Sequence, residues 1–213
     1  MFITFEGPEG SGKTTQIERA YSYLQGKKLR VMCTREPGGT PIADRIRAIL
    51  LHAESRSITP TAELFLYLAS RAQHVEKKVR PALERGEIVL CDRFVDSTWA
   101  YQGYARRLGV ELVERMNELA AGGLRPDVTL LYDLPVEVGL SRARNRAAGR
   151  RDAEREDRFE NEAVAFHRQV REGFLWLARR DRNRFRIIDA AGDKEEVWKQ
   201  TQKILDEILK GIG

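Results

Sequence analysis

Residues 7 to 14 read Gly-Pro-Glu-Gly-Ser-Gly-Lys-Thr, a G-x-x-x-x-G-K-[ST] run that follows the apolar stretch Phe2 to Phe5 and opens a helical pattern from Lys13 to Gln25. A strand that turns directly into a helix through such a loop is a phosphate cradle. Its glycines let backbone N–H groups point inward, and the helix N-terminus favours an anion. In this arrangement Lys13 reaches the β- and γ-phosphates of a nucleoside triphosphate, and the Thr14 hydroxyl ligates Mg2+. The nucleotide-binding set is therefore Gly7, Pro8, Glu9, Gly10, Ser11, Gly12, Lys13, Thr14 and Thr15. Glu9 is out of character in an anion-binding loop. It either faces the hydroxyl of a second substrate or is an exposed acid at the rim.

Short apolar runs at Phe2 to Phe5, Leu29 to Cys33, Ile88 to Cys91, Val128 to Tyr132 and Phe185 to Ile188 have strand length and are mostly rich in β-branched or aromatic residues. Helical periodicity fills the intervals, at about 13–25, 41–51, 60–85, 95–104, 110–120, 135–147, 160–179 and 194–209. Strands alternating with helices predict an α/β fold with a five-stranded parallel sheet covered on both faces. The 213 residues suit one domain, 1–213. An Arg-rich stretch at about 142–158, interrupted by Ala147, Ala148 and Gly149, is the expected mobile lid.

A phosphate loop alone leaves motors, switches, transporters and kinases open. Asp92 and Arg93 follow the third strand, at the sheet edge where open α/β folds bind ligands. The acid can hold Mg2+ or its waters and the arginine can clamp a phosphate; a surface ion pair is the alternative. Arg35-Glu36-Pro37-Gly38-Gly39-Thr40 lies at the same edge after the second strand, and Arg47 lies two turns into the following helix. Tyr67 and Arg71 are four residues apart and share a helix face. They suit a flat base, or else pair a core tyrosine with a surface arginine. Arg142, Arg144, Arg146, Arg150 and Arg151 supply cations late in the chain, as a closing catalytic segment or a solvated helix face.

The net charge of +5 and pI near 9.3 do not by themselves indicate nucleic acid, because Asp152, Glu154, Glu156 and Asp157 interleave with the arginines. No apolar run approaches the ~20 residues of a membrane span, and a cytoplasmic protein is expected. Cys33 and Cys91 end apolar runs and are expected to be small buried hydrophobes rather than a disulfide.

With the phosphate loop, Arg35 to Thr40, Tyr67 to Arg71, Asp92 to Thr98, Tyr101-Gln102-Gly103 and Arg125-Pro126-Asp127 in this order, the chain resembles the bacterial-type thymidylate kinases over essentially its whole length. The resemblance implies a P-loop NTPase fold, ATP with Mg2+ as phosphate donor, and dTMP as acceptor. Glu9 would then hold the sugar 3′-hydroxyl, with Arg47 and Arg93 on the monophosphate and Glu36 and Pro37 beside them. Tyr67 would stack on thymine, Arg71, Ser97 and Thr98 would bond its edge, and Tyr101 and Gln102 would close the pocket. Lys13, Asp92, Arg93 and either Arg150 or Arg151 would be catalytic, with Thr14 and Asp92 at the metal. Arg142 or Arg146 would pack against adenine, whose pocket Asp189-Ala190-Ala191 would line. A homodimer is implied by the same analogy. Competing readings are another nucleotide or nucleoside kinase, a GTP-dependent switch, disfavoured because no Asn-Lys-x-Asp occurs, and a nucleic-acid-stimulated ATPase.

Overall fold

The computed structural model describes residues 1–52, 55, 57–147, 158–159 and 162–211. Strands β1 (Phe2–Glu6), β2 (Val31–Arg35), β3 (Ile88–Asp92), β4 (Val128–Asp133) and β5 (Phe185–Asp189) form one parallel sheet in the order β2-β3-β1-β4-β5. Helices α1 (Lys13–Gly26), α2 (Pro41–Leu51), α3 (Pro60–His74), α4 (Arg80–Glu84), α5 (Val95–Thr98), α6 (Val110–Ala120), α7 (Val136–Ala147) and α8 (Val164–Arg180) lie in the connections, and α9 (Lys194–Lys210) follows β5. The expected five-stranded parallel sheet with helices on both faces is the fold that forms. Among the described residues no helix is long and apolar enough to cross a membrane.

Strand alternation decides which helix each face receives. From β1, Ile3 and Phe5 point into a core shared with Ile17, Ala20 and Leu24 of α1 and Val197 and Leu205 of α9. Phe2 points the other way, onto Phe94, Val75 and Val79. On that second face Thr4 bonds Thr129 at 2.9 Å, and Asp96 takes both terminal nitrogens of Arg184 at 2.6 and 2.9 Å. Glu6 follows Phe2 and Thr4 on this face and is fully buried.

The helix expected over 60–85 is continuous but widens to π-helical pairing at Val75–Val79. Pro81 has no N–H to give to the carbonyl of Lys77 and its ring crowds that carbonyl, so the chain takes the wider turn just before it. The helix expected over 95–104 likewise begins as α5 and passes into a π-helical segment, Trp99–Ala105. Trp99 there stacks on Trp176 of α8, centroids 4.8 Å apart, while Trp198 on α9 meets Tyr23.

Two sequence expectations need correction. β2 begins at Val31 rather than Leu29, because Lys28 takes a left-handed φ of 61° and the Leu29 N–H is used to close α1 on the Leu24 carbonyl. The strand instead runs on to Arg35, which pairs with Asp92. Cys91 is buried as expected, but Cys33 is exposed, since β2 is the edge strand; both thiols are free.

Candidate active site

All the strands point their C-terminal ends at one edge of the sheet, and a cavity of about 520 Å3 opens there between the phosphate loop, α3 and the helix that starts with α5. The loop itself is shaped by close approach. Gly10 has φ 70°, and a Cβ on it would fall 1.9 Å from the Gly139 carbonyl oxygen; a Cβ on Gly139 of α7 would fall 2.4 Å from the Glu9 carbonyl oxygen. Two glycines thus let α7 seat directly against the loop.

Lys13 is buried, its ammonium donating to the carbonyls of Gly7 (2.9 Å) and Pro8 (3.0 Å) and to Ser11 Oγ (3.0 Å). Burial and the nearby Arg93 bring its pKa down to about 8, against the opposing pull of Glu9, Asp92 and Glu6. The Thr14 hydroxyl donates to Asp92 Oδ2 at 3.1 Å, so two oxygen ligands of the kind Mg2+ takes stand together beside the loop.

Arg93 joins this phosphate cradle to the rest of the cavity. It holds φ 67°, uncommon for a residue with a side chain. Its Nη1 donates to the Gly7 carbonyl and to Ser97 Oγ, each at 3.0 Å, and its Nη2 to Glu9 Oε1 at 2.9 Å. The Tyr101 hydroxyl donates to the same Glu9 oxygen at 2.8 Å. Burial by itself would raise the Glu9 pKa, but Arg93, Lys13 and the Tyr101 hydrogen bond together take it down to about 2. Glu9 is therefore ionised and turned into the cavity, not out at the rim.

Beyond Arg93 the cavity wall is a connected polar network. Arg71 is almost wholly buried and donates from Nε to Glu36 Oε2 (2.8 Å), from Nη1 to Asn117 Oδ1 (2.5 Å) and from Nη2 to Thr98 Oγ1 (2.9 Å). These contacts use three of the five N–H donors of a guanidinium. The other Glu36 oxygen pairs with His74 Nδ1 at 2.9 Å, and His74 Nε2 with Thr34 Oγ1 at 2.7 Å. Removing one member of such a buried pair costs about 3–5 kcal/mol. Gln102 donates to Glu63 Oε1 at 2.7 Å, and Arg158 donates to Glu63 Oε2 at 2.5 Å. Arg47 donates to the Pro37 carbonyl at 3.0 Å and lines the cavity together with Tyr67, whose phenol is shifted upward by burial and by Glu63.

The structure thus brings Glu9, Lys13, Thr14, Glu36, Pro37, Arg47, Tyr67, Arg71, Asp92, Arg93, Ser97, Thr98, Tyr101 and Gln102 to one cavity. The π-helical segment places Tyr101 and Gln102 on the same side as Ser97 and Thr98. Arg142 lies apart on α7, donating to the carbonyls of Ala190 (2.7 Å), Ala191 (2.8 Å) and Gly192 (3.0 Å) in the β5–α9 loop. Arg150 and Arg151 fall outside the described residues, as does the side chain of Arg146. Sequence reasoning passed over Glu6, Glu63, His74, Asn117 and Gly139. Of these Glu63 and His74 carried a signal, since they fall on the same face of the 60–85 helix as Tyr67 and Arg71.

A phosphate cradle at the head of a parallel sheet, with a hydroxyl–carboxylate pair for a metal and a second half-site furnished with arginines, defines a P-loop kinase. The family model for thymidylate kinase matches residues 5–201. The chain is 53% identical over 210 residues to the thymidylate kinase of Syntrophotalea carbinolica, covering 97% of each, and 57% identical over 188 residues to that of Geobacter sulfurreducens, covering 88% of each. Among solved structures it is similar to the crystal structure of thymidylate kinase from Ehrlichia chaffeensis, with TM-score 0.76 and 32% identity over 97% of this chain and 98% of that one. The chain belongs to the thymidylate kinase family.

Proposed function

We propose that this chain transfers the γ-phosphate of ATP to dTMP, giving ADP and dTDP. The observation that carries the reading is Arg93, whose guanidinium bonds the phosphate loop at Gly7 and Glu9 and also Ser97 of α5, and so stands where a donor and an acceptor phosphate must meet. A phosphate oxygen of dTMP attacks the γ-phosphorus in line, and the bond to the bridging oxygen of ADP breaks. The acceptor phosphate is already ionised near neutral pH, so no strong base is needed. Lys13 and the loop N–H groups stabilise charge on the transferring group, and Arg93 with Arg47 orients the acceptor. Thr14 and Asp92 would hold Mg2+, which would supply positive charge to offset that of the donor phosphates. Arg150 or Arg151 from the segment 142–158 would add a cation from the lid.

In the acceptor half, Glu9 takes the sugar 3′-hydroxyl and Tyr67 stacks on thymine. Arg71 retains two N–H donors for the base edge. Ser97, Thr98, Tyr101 and Gln102 complete the pocket, and Arg142 holds the loop that backs adenine. The 213 residues act as one domain, in the cytoplasm where both nucleotides are held. Ile42 and Ile49, one face of α2, and Phe65 of α3 are exposed apolar side chains that support a homodimer through these helices.

ADP release coupled to a reporter, with Mg-ATP and equal concentrations of dTMP, dUMP, UMP, dCMP, AMP and thymidine, tests the assignment. Turnover should be greatest with dTMP and nil with thymidine. Turnover with thymidine, or ATP hydrolysis indifferent to all acceptors, would overturn it.

A further inference from the structure

Glu6 closes β1, immediately before the phosphate loop, and none of the roles given above involves it. It is fully buried on the face of the sheet that receives α5. Its Oε1 accepts from the backbone N–H of Phe94 at 2.7 Å and of Ser97 at 3.3 Å. These are groups at the start of α5, where Phe94 offers no side-chain cap of its own. One oxygen therefore does what a capping side chain would do. The second oxygen does something a cap does not require. Oε2 takes the Ser97 hydroxyl at 2.6 Å, and that same hydroxyl oxygen accepts from Arg93 Nη1 at 3.0 Å.

While Glu6 is ionised, the direction of these bonds is forced. An arginine can only donate, and an ionised carboxylate can only accept, so the single Ser97 hydrogen goes to Glu6 and a lone pair of its oxygen faces Arg93. The result is a one-way chain, from Arg93 to Ser97 to Glu6, with Nη2 of the same guanidinium fixed on Glu9. A carboxylate is an expensive way to build this. Burial and then Asp96 push Glu6 up to about 7, with Arg93, the Ser97 hydroxyl and the Phe94 N–H working against them. The other ionisable groups that feel its charge are Lys13 and Cys91. A neutral cap would satisfy the helix at lower cost, so the second oxygen needs a reason of its own.

We propose that Glu6 is a positioning residue for phosphoryl transfer, which through the Ser97 hydroxyl fixes the rotation of the Arg93 guanidinium that receives the acceptor phosphate. This rests on the reading of Arg93 given above. A guanidinium recognises phosphate through a planar fork, so the angle of that plane matters as much as its position. With Gly7, Ser97 and Glu9 as three fixed points, Arg93 keeps one orientation at a backbone conformation that side chains seldom adopt.

Glu6→Gln separates capping from positioning, because its amide oxygen can still cap α5 while its NH2 donates to Ser97 Oγ and competes there with Arg93. The KM for dTMP should rise about ten-fold, and the KM for ATP should stay within about two-fold. Ser97→Ala removes the relay itself and should give the same selective rise, while the Glu6→Gln/Ser97→Ala double variant should be no worse than either single one. Multiplying effects, an unchanged KM for dTMP, or KM values for both substrates rising in step with a fall in Tm would overturn the proposal. Should Glu6→Gln fail to fold, an unchanged dTMP KM in Ser97→Ala is sufficient to reject it. Arg93→Lys, measured in parallel, distinguishes the two readings. If that change leaves the dTMP KM unaltered, the role of Arg93 is wrong; if it raises KM while Glu6→Gln does not, only the role of Glu6 is wrong.

Discussion

Gly139→Ala would place a methyl group 2.4 Å from the Glu9 carbonyl oxygen. Ordinary contact begins about 1 Å further out, so either α7 or the phosphate loop must retreat by roughly that distance. In an unhindered helix the same change would stabilise the chain by about 1 kcal/mol. Overpacking against backbone costs about 1–3 kcal/mol, so the net loss should be on the order of 1 kcal/mol. For 213 residues that is a fall in Tm of about 2–4 °C. The effect on turnover should be larger than the effect on folding. A displacement of about 1 Å at a reacting centre can cost as much as 100-fold in rate, and a retreat of the phosphate loop would carry Lys13 and Thr14 with it. Differential scanning fluorimetry and steady-state kinetics should show a ten- to hundred-fold drop in kcat with little change in the KM for dTMP. Gly26→Ala is the control, since nothing lies within 4 Å of a Cβ at that position. A Gly139→Ala enzyme as stable as Gly26→Ala, with normal kcat, would show that the α7–loop contact yields easily and refute the reasoning.

Two further outcomes are expected. Because Glu6 sits at about 7 when folded against 4.5 ordinarily, the folded state binds the extra proton between these values and loses stability as pH rises through that window. Glu6→Gln should therefore gain on wild type by on the order of 2 kcal/mol between pH 5 and pH 8 in urea titrations; a constant difference would mean the carboxyl is not buried in its charged form. Arg142→Ala releases the carbonyls of Ala190, Ala191 and Gly192. It should raise the KM for ATP about five- to ten-fold and leave that for dTMP alone, and no change for ATP would remove the β5–α9 loop from the adenine side.

The architecture was legible because two independent signals agreed, the strand–loop–helix grammar around Gly7 to Thr14 and the alternation of apolar runs with helical periods. Site residues were legible where they sat at the ends of strands, as Asp92 and Arg93 do. The partners of Arg71 were not. Its spacing from Tyr67 left open an arginine on a base or one at the surface; the second does not hold, because Arg71 is buried, and Glu36, Thr98 and Asn117 come to it from a loop and two other helices, a convergence that only the folded chain creates. The π-helical turns were equally hidden, since one wider turn barely disturbs a helical period. Gly139 was passed over because only the folded chain brings the phosphate loop against it. The strand expected over Phe2 to Phe5 runs one residue further, and that added residue, Glu6, is a fully buried acid on the face of Phe2 and Thr4.

The placement of the three tryptophans gives the molecule an optical division of labour. Trp99 belongs to the helix that carries Ser97, Thr98, Tyr101 and Gln102, and its ring lies nearly parallel to that of Trp176, with 15° between the planes. Any tilt of the acceptor-side helix relative to α8 must alter that stack and hence its emission. Trp198 rests on Tyr23 on the opposite face of the sheet, edge to face at 79°, between α1 and α9. With Trp198 replaced by Phe, the remaining pair becomes a native fluorophore for the acceptor half alone. Occupation of one half-site could then be followed in real time without attaching a label to either nucleotide.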